Sequence, residues 1–228
     1  MRDRMTIMKL IFVDFEMNPI SKERRQIRKI CPGEIIEIGA VKLDEQVQEI
    51  SSFKEYVLPK YATEMDETCQ ELTGITMDML RQADTFVPAF RRFLDWCNET
   101  GENDYEMYAW SENDWRQLHN EMRLKKINTQ SDRVAWMLGH WQNFQQIYCN
   151  LLGLDNVISL DKAIETTGEP FDGQMHDALW DARNTAKLYM LSKKKEEFRK
   201  VMDSIIEVTS SAEPLTFSMA EAFKKARR

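Results

Sequence analysis

The chain has 228 residues, of which 43% are hydrophobic and 30% charged, with few glycines and prolines. This length and composition predict one well-buried globular domain with some tail, and leave no room for two ordinary domains. The net charge of −7 argues against a protein that grips long duplex DNA by bulk electrostatics, but allows an enzyme that takes one strand end at a time.

Three β-strands are predicted in the first quarter of the chain. Leu10–Phe15 (LIFVDF) is a short β-prone run, Glu34–Leu43 is a second strand, and Ile50–Leu58 is a third that stops at Pro59. The short link between the second and third strands predicts a hairpin, so we expect this part of the sheet to be antiparallel.

Helical spacing takes over after the hairpin, with a helix over 86–97 that has Pro88 in its first turn. A short strand follows at Tyr105–Trp110. Four more apolar stripes predict helices, marked by Trp115, Leu118 and Met122, then by Trp141, Phe144, Ile147, Leu151 and Leu152, then by Leu179, Ala182, Ala186 and Tyr189, and finally by Phe198, Val201, Met202 and Ile205. Three strands followed by alternating helices and strands predict an α/β domain with a mixed sheet.

The boundaries and setting of the domain follow from composition. We place the domain at residues 5–208, followed by a loosely attached tail at 209–228 that can dock as a short helix. No apolar run approaches the ~20 residues that a membrane helix needs, and the N-terminus has no cleavable small-residue site. The cysteines form no Cys-x-x-Cys pair, so we interpret them as reduced thiols and expect a cytoplasmic protein with no membrane partner.

Asp14 and Glu16 form the first candidate for chemistry. They are two positions apart in a strand, so both carboxylates project from the same face. Two neighbouring carboxylates repel each other unless a cation lies between them, and oxygen ligands of this kind suit Mg²⁺ or Mn²⁺. The alternative is that one acid lies at the exposed end of the strand and pairs with a lysine.

Asp114 follows the fourth predicted strand, in the phrase YAWSENDWRQL. Ser111-x-x-Asp114 also fits a capping box at the start of a helix. The two roles are compatible, because a carboxylate at a helix N-terminus still faces outward from the end of the sheet.

His176 and Asp181 occur in GQMHDALWDARNTAKL. Five residues put two side chains about 140° apart on an ideal helix, so the pair would not share a helix face. We therefore place His176 in the loop before the helix, Asp177 at the N-cap and Asp181 in the first turns. The alternative for His176 is an ordinary surface or capping residue.

The acidic residues and the histidine follow one another as Asp-x-Glu, Asp and His-x-x-x-x-Asp. With the phrases FVDFEM, PGEIIEIGAV, ELTGIT at Glu71–Thr76, AWSENDW and HDALWDARNTA, the sequence resembles the DEDDh 3′→5′ exonucleases of the ribonuclease H-like fold. Within that family it is similar to the enhanced-RNAi and histone-mRNA 3′-exonuclease branch, which includes bacterial KapD-like proteins. The resemblance spans roughly residues 8–192.

The resemblance implies a mixed five-stranded sheet, three antiparallel strands plus parallel ones, flanked by helices. It implies two Mg²⁺ ions per site, for which Mn²⁺ can substitute. Asp14, Glu16 and Asp181 would hold one ion, Asp14 would share the second with the scissile phosphate, and Asp114 would act through coordinated water. His176 would be the general base. The expected reaction releases nucleoside 5′-monophosphates from a free 3′-OH of single-stranded or 3′-overhang nucleic acid, with RNA favoured.

By the same resemblance, a few residues would hold the terminal nucleotide. These are Phe15 and Met17 near the metals, Leu72, Thr73 and Ile75 for the base and sugar, and Gly74 for close backbone approach. Core packing is the alternative for Leu72 and Ile75.

Two departures from the family pattern affect the nucleotide pocket. Met17-Asn18-Pro19 replaces the small residue and threonine often found after the acidic pair, and a long basic link follows it. That link carries Lys22, Arg24, Arg25, Arg28 and Lys29. It can guide a phosphate backbone, but a solvated surface is the favoured interpretation.

Two other functions remain as alternatives. One is a DNA 3′→5′ exonuclease of the proofreading type, because recognition of a 2′-OH depends on pocket details. The other is a catalytically idle nucleic-acid-binding module, against which the presence of Asp14, Glu16, Asp114, His176 and Asp181 speaks.

Overall fold

The computed structural model describes residues 8–99, 101 and 103–211, and side chains as far as residue 203. The tail expected to dock as a helix therefore lies outside the described residues beyond position 211, as does the N-terminal boundary at residue 5. In the described part, no helix is both long and apolar enough to cross a bilayer.

Five strands and ten helices make up the described chain. The strands are β1 (Lys9–Pro19), β2 (Gly33–Leu43), β3 (Glu49–Tyr56), β4 (Tyr105–Ala109) and β5 (Trp141–Asn143). The helices are α1 (Arg25–Arg28), α2 (Glu67–Thr73), α3 (Met77–Leu80), α4 (Phe86–Cys97), α5 (Glu112–Lys125), α6 (Asp132–Gly139), α7 (Phe144–Leu151), α8 (Leu160–Glu165), α9 (Ala178–Lys193) and α10 (Lys195–Ser211).

The strands form one mixed sheet in the order β3-β2-β1-β4-β5. The β1–β2 and β2–β3 pairs are antiparallel, whereas β1–β4 and β4–β5 are parallel. This confirms the expected five-stranded mixed sheet. Every residue of β2 is buried, as a strand covered on both faces requires.

The helices cover the sheet in two layers because alternate side chains of each strand point to opposite faces. Ile11, Val13 and Phe15 of β1 pack on one face in a cluster with the apolar sides of α4, α5 and α6. Phe12 points to the other face, where it packs with side chains of α7 to α10. Asp14 and Glu16 follow Phe12 in the two-residue period, so they lie on the face covered by α9.

The prediction that a helix begins near Trp141 is wrong. Trp141 lies in β5, a three-residue strand that pairs with Met107 of β4, and the helix begins at Phe144. Asn143 caps that helix by accepting a hydrogen bond from the Gln146 N–H at 3.2 Å. The apolar stripe predicts the helix correctly from Phe144 onward, but the three residues before Phe144 form a strand.

Other boundaries shift by a few residues. β1 continues to Pro19 instead of ending at Phe15, and β3 ends at Tyr56, after which Leu58 forms an isolated bridge with Thr85. The α6 helix, Asp132–Gly139, was not predicted. The extension of β1 matters most, because it carries the chain beyond the end of β4.

Candidate active site

Asp14 and Glu16 project from β1 towards the start of α9, as their spacing predicts. Gly39 of β2 is the partner of Asp14 in the sheet. A Cβ atom at Gly39 would lie 2.1 Å from the carbonyl carbon of Ala178 and from the nitrogen of Leu179. The missing side chain therefore lets the first turn of α9 rest directly on the sheet beside Asp14.

Asp114 reaches the same place from α5, at the unpaired edge of β1. The backbone N–H of Lys9 donates to the Asp104 carbonyl oxygen on the β4 side, so the N–H of Phe15 points to that side as well. Because β4 ends at Ala109, no strand is there to accept it, and Asp114 Oδ1 does so at 3.2 Å. Asp114 Oδ2 also accepts from the Ser111 hydroxyl at 3.4 Å. Ser111 is the N-cap of α5 and accepts from the Asn113 N–H at 3.1 Å, while Asp114 in the first turn contacts β1.

Asp181 lies in the first turn of α9, and the predicted N-cap of that helix is confirmed. Asp177 Oδ1 accepts from the N–H groups of Leu179 and Trp180 at 3.2 and 3.4 Å. Asp181 Oδ1 is buried without a hydrogen-bond partner among the described residues. A buried carboxylate oxygen left without a donor is an oxygen ligand available to a cation.

His176 lies in the turn just before α9, as predicted, and its side chain is exposed. Its φ of 61° is in the left-handed region, which histidine adopts more readily than most residues. Ligand atoms of His176, Glu16 and Asp181 lie within 4.8 Å of one another. The turn therefore places the imidazole over the carboxylates, on the side open to solvent.

Burial raises the pKa values of all four acids, and neighbouring carboxylates add to the rise at Asp14, Glu16 and Asp181. Burial, followed by the charges of Asp114, Asp181 and Glu16, raises the pKa of Asp14 well above its usual range. Burial and the charge of Asp181 raise the pKa of Glu16 to about 8.

Burial is also the main cause at the other two acids. It raises the pKa of Asp114 to about 7, opposed by the hydrogen bond from the Phe15 N–H, and that of Asp181 to about 7, opposed by a backbone hydrogen bond from His176. Four carboxylates that resist ionisation together fit a site completed by divalent cations.

Glu37 belongs to this region but was missed from the sequence. It is 1% exposed and lies directly opposite Glu16 in the sheet. Its Oε2 accepts from the Ala178 N–H at 3.0 Å, and its Oε1 lies 3.1 Å from Lys54 Nζ, which also pairs with Asp177. The available signal was an acid flanked by isoleucines inside a strand whose other residues are mostly apolar.

The residues predicted to bind the nucleotide differ in burial and in the contacts that they make within the protein. Phe15 is 3% exposed and Ile75 2% exposed, and both side chains pack in the core. Met17 is partly buried, and its carbonyl oxygen accepts from the Cys69 thiol at 3.3 Å. The Thr73 hydroxyl is occupied locally, donating to the Cys69 carbonyl oxygen at 2.8 Å.

Leu72 and Gly74 lie where the end of α2 meets the turn that carries His176. Leu72 is 49% exposed, and Gly74 ends α2 with a φ of 71°. The Gln174 side chain donates to the Thr73 carbonyl oxygen at 3.4 Å, which joins the two segments. Met175, on the turn, is 46% exposed. Two exposed apolar side chains thus lie on adjoining segments, one of which carries His176.

Comparison with known proteins gives consistent matches. A profile of the Exonuclease family matches residues 11–189. The human protein 3′-5′ exoribonuclease 1 is 29% identical over 161 residues, covering 68% of this chain and 45% of that protein. Probable 3′-5′ exonuclease KapD of Bacillus subtilis (strain 168) is 29% identical over 201 residues, covering 85% of this chain and 89% of that protein. The chain thus spans about half the length of its human relative.

A solved structure shares the fold. The nuclease domain of 3′hExo, described as a DEDDh family member bound to rAMP, superposes with a TM-score of 0.70 at 23% identity, covering 83% of this chain and 93% of that one. The crystal structure of cell-death related nuclease 4 superposes with a TM-score of 0.66 at 24% identity, covering 84% of this chain and 64% of that chain.

Proposed function

The chain belongs to the Exonuclease family, and from that premise we propose that it is a 3′→5′ exonuclease that removes nucleoside 5′-monophosphates from the 3′ end of RNA. The convergence of four carboxylates from β1, α5 and α9 beneath one exposed imidazole carries this proposal. A curated human relative named as an exoribonuclease supports the direction and the RNA preference.

The carboxylates fit a divalent-metal centre by their chemistry. Glu16, Asp181 and Asp14 would hold the metal, with Asp114 alongside, since these are oxygen donors with raised pKa values and Asp181 Oδ1 has no other described partner. We assign Mg²⁺ as the natural ion, with Mn²⁺ as a substitute, because both prefer oxygen ligands. When bound, such ions neutralise the carboxylates and polarise the scissile phosphate.

His176 is the group we assign to proton transfer. Its imidazole lies beside Glu16 and Asp181 and faces solvent, from which the attacking water arrives. A neutral imidazole nitrogen is a hydrogen-bond acceptor and a common general base, so we assign His176 to accept the proton of that water. We place the terminal base between Leu72 and Met175, the exposed apolar side chains beside the site.

The setting of the enzyme is part of the same proposal. All four cysteines are buried free thiols, which supports a reducing, cytoplasmic location.

The test is a time course with 5′-labelled RNA and DNA of the same sequence in Mg²⁺. We expect a ladder that shortens from the 3′ end, faster on RNA, and no products in EDTA. Asp14→Asn and His176→Ala are expected to lower kcat by at least about a hundredfold. Asp155→Asn, an exposed acid, and His140→Ala, a histidine stacked on Trp136, are the matched controls and keep the wild-type rate.

Two results would contradict the proposal. Cleavage that persists in Asp14→Asn would remove the metal site from the mechanism. Equal rates on RNA and DNA would remove the RNA preference and favour the proofreading alternative, since only the 2′-OH distinguishes the two substrates at a given sequence.

A further inference from the structure

A patch of exposed cations lies at the end of the sheet where β1 runs out. Four of them lie on or beside α1, which follows β1; one follows β3; and one ends α5. We call this patch the basic face, and its members are Lys22, Arg24, Arg25, Lys29, Lys60 and Lys126.

Buried Glu34 fixes the part of the basic face around Lys60. Its carboxylate accepts from the backbone N–H groups of Lys60, Tyr61 and Ala62 at 2.9, 2.5 and 2.7 Å. The same carboxylate pairs with Lys125, the residue before Lys126. The loop after β3 and the end of α5 are therefore held together through a single side chain of β2.

Buried polar contacts also tie the segment after α1 to α5. The single S–H proton of Cys31 is shared between the Gly33 carbonyl oxygen, 2.8 Å from Sγ, and Glu121 Oε2, 3.3 Å from Sγ. The Gln117 amide donates to the Gly33 carbonyl oxygen at 2.8 Å. Hydrogen bonds and an ion pair therefore join the three segments of the basic face at one end of the molecule.

Asn18 connects this end to the active-site strand. It is fully buried in β1, its Nδ2 donates to the Glu64 carbonyl oxygen at 2.7 Å, and its Oδ1 accepts from the Asp66 N–H at 2.9 Å. Ser21 follows Glu16 by five residue steps of extended chain, at most ~17 Å. A short oligonucleotide spans that distance.

The cations of the basic face lack acidic partners among the residues that the structure describes. None of its six cations forms an ion pair with a described residue, although many other lysines and arginines of the described chain do. In a chain of net charge −7, such clustering leaves a local site for anions.

The surroundings decide where an anion would bind. Glu64 and Asp66 line the pocket of about 250 Å³ beside Lys22, so phosphates are expected on the exposed side of α1 and not in that pocket. A second cleft, of about 650 Å³, lies between Lys60, Tyr61 and Lys126 and has no acidic residue in its lining. The ring of its half-exposed Tyr61 lies under Lys60 Nζ and Lys125 Nζ, at 5.4 and 4.9 Å from the ring centroid, which keeps both ammonium groups at the cleft.

We propose that the basic face binds the phosphates of a single-stranded RNA upstream of the 3′ end that enters the active site. This inference rests on the proposed function. It assigns the run of cations after the acidic pair a role in holding long substrates, and none in the chemical step.

The test compares two substrates in the variant Arg24→Gln/Arg25→Gln/Lys29→Gln. A dinucleotide has only the scissile phosphate, whereas an RNA of about twelve nucleotides also reaches the basic face. We expect the variant to raise KM for the longer RNA by about tenfold at low salt. The slope of log KM against the logarithm of salt concentration is expected to fall by about 2. KM for the dinucleotide and kcat for both substrates stay at wild-type values.

The matched control is Lys195→Gln/Arg199→Gln/Lys200→Gln, which removes the same charge from exposed positions of α10. That helix begins after the 16 residues of α9, about 24 Å along the helix from the turn of His176. An unchanged KM for the longer RNA in the α1 variant, or an equal rise in the control, would overturn the proposal.

The two proposals fail in different ways. If the wild type cleaves neither substrate, the proposed function is wrong, and the basic face is then judged by the fluorescence anisotropy of labelled RNA in EDTA. Binding weakened by the α1 variant alone supports the basic face. Equal binding by wild type, variant and control refutes it.

Discussion

Glu37 connects the acidic pair to the residues contributed by α9. Its carboxylate lies opposite Glu16 in the sheet, accepts from the first N–H of α9, and shares Lys54 with the N-cap Asp177. Two contacts with charged groups hold the start of α9, and the helix cannot move along the sheet without breaking both contacts. Through it, Glu37 sets the positions of His176 and Asp181, so we regard it as a positioning residue.

Replacing Glu37 by Gln is expected to lower kcat about tenfold with little change in KM, because small displacements of reacting groups cost rate more than binding. The matched control is Glu49→Gln, which breaks the ion pair between β3 and Arg183 further along the same helix. Steady-state kinetics of the two variants provide the check. Equal losses of kcat would show that any loosening of α9 suffices and that Glu37 has no special position.

Asp14 is expected to reduce the stability of the metal-free protein. Because burial and four acidic neighbours disfavour its charge, Asp14→Asn removes a repulsive group while preserving shape. We expect the variant to gain on the order of 1 kcal/mol in EDTA at pH 8, or roughly 2–4 °C in Tm. Thermal melts against Asp155→Asn provide the measurement, and a lower Tm for Asp14→Asn would show that the repulsion is relieved elsewhere.

At the scale of elements, the close contact of α9 with the sheet assembles the site. The helix lies against β1 and β2, and Gly39 allows its first turn to approach where any side chain would collide with backbone atoms. Backbone cannot move aside as a flexible side chain does. The distance from Asp181 to the β1 carboxylates therefore depends on a residue that carries no chemistry.

Gly39→Ala is expected to displace the start of α9, lowering the free energy of unfolding by about 1–3 kcal/mol and kcat by at least about tenfold. Gly139→Ala is the matched control, since a Cβ there meets nothing within 4 Å. Denaturant unfolding and kinetics on both variants test the idea. A Gly39→Ala protein with wild-type kcat would mean that the helix moves without moving Asp181.

At the scale of the whole molecule, the acidic site links stability to pH. Burial raises the pKa of Glu16 to about 8 and those of Asp114 and Asp181 to about 7, from ordinary values near 4. Neighbouring carboxylates add to the rise at Glu16 and Asp181. Between about pH 4 and 8 the folded chain therefore holds more protons than the unfolded chain. The stability contributed by these groups is present below that window and is lost as the pH rises through it.

We therefore expect the metal-free protein to lose stability between pH 5.5 and 8.5, and excess Mg²⁺ to restore it increasingly as the pH rises. The ion binds the deprotonated carboxylates and stabilises the folded state by mass action. Free energies of unfolding in EDTA and in Mg²⁺, each at three pH values, give the answer. A metal-free stability that is flat or rising across this range would contradict the linkage.

The parts of this fold and site that follow local rules were predictable. The two-residue period placed Asp14 and Glu16 on one face, and capping rules placed Asp177 at the start of α9 with His176 just outside it. The parts that depend on distant partners were not. Trp141 becomes a strand because β4 lies beside it, and Glu37 matters because of its register with Glu16. Single-sequence patterns contain neither relation.

The unequal lengths of β1 and β4 have a consequence for solubility. An N–H row left open at the edge of a strand invites pairing with another chain, and β1 presents such an edge beyond Ala109. Asp114 closes it by accepting the Phe15 N–H, and places a charge there. Replacing Asp114 by Ala would leave the Phe15 N–H at this strand edge without an acceptor. The purified variant is therefore expected to self-associate as well as lose activity.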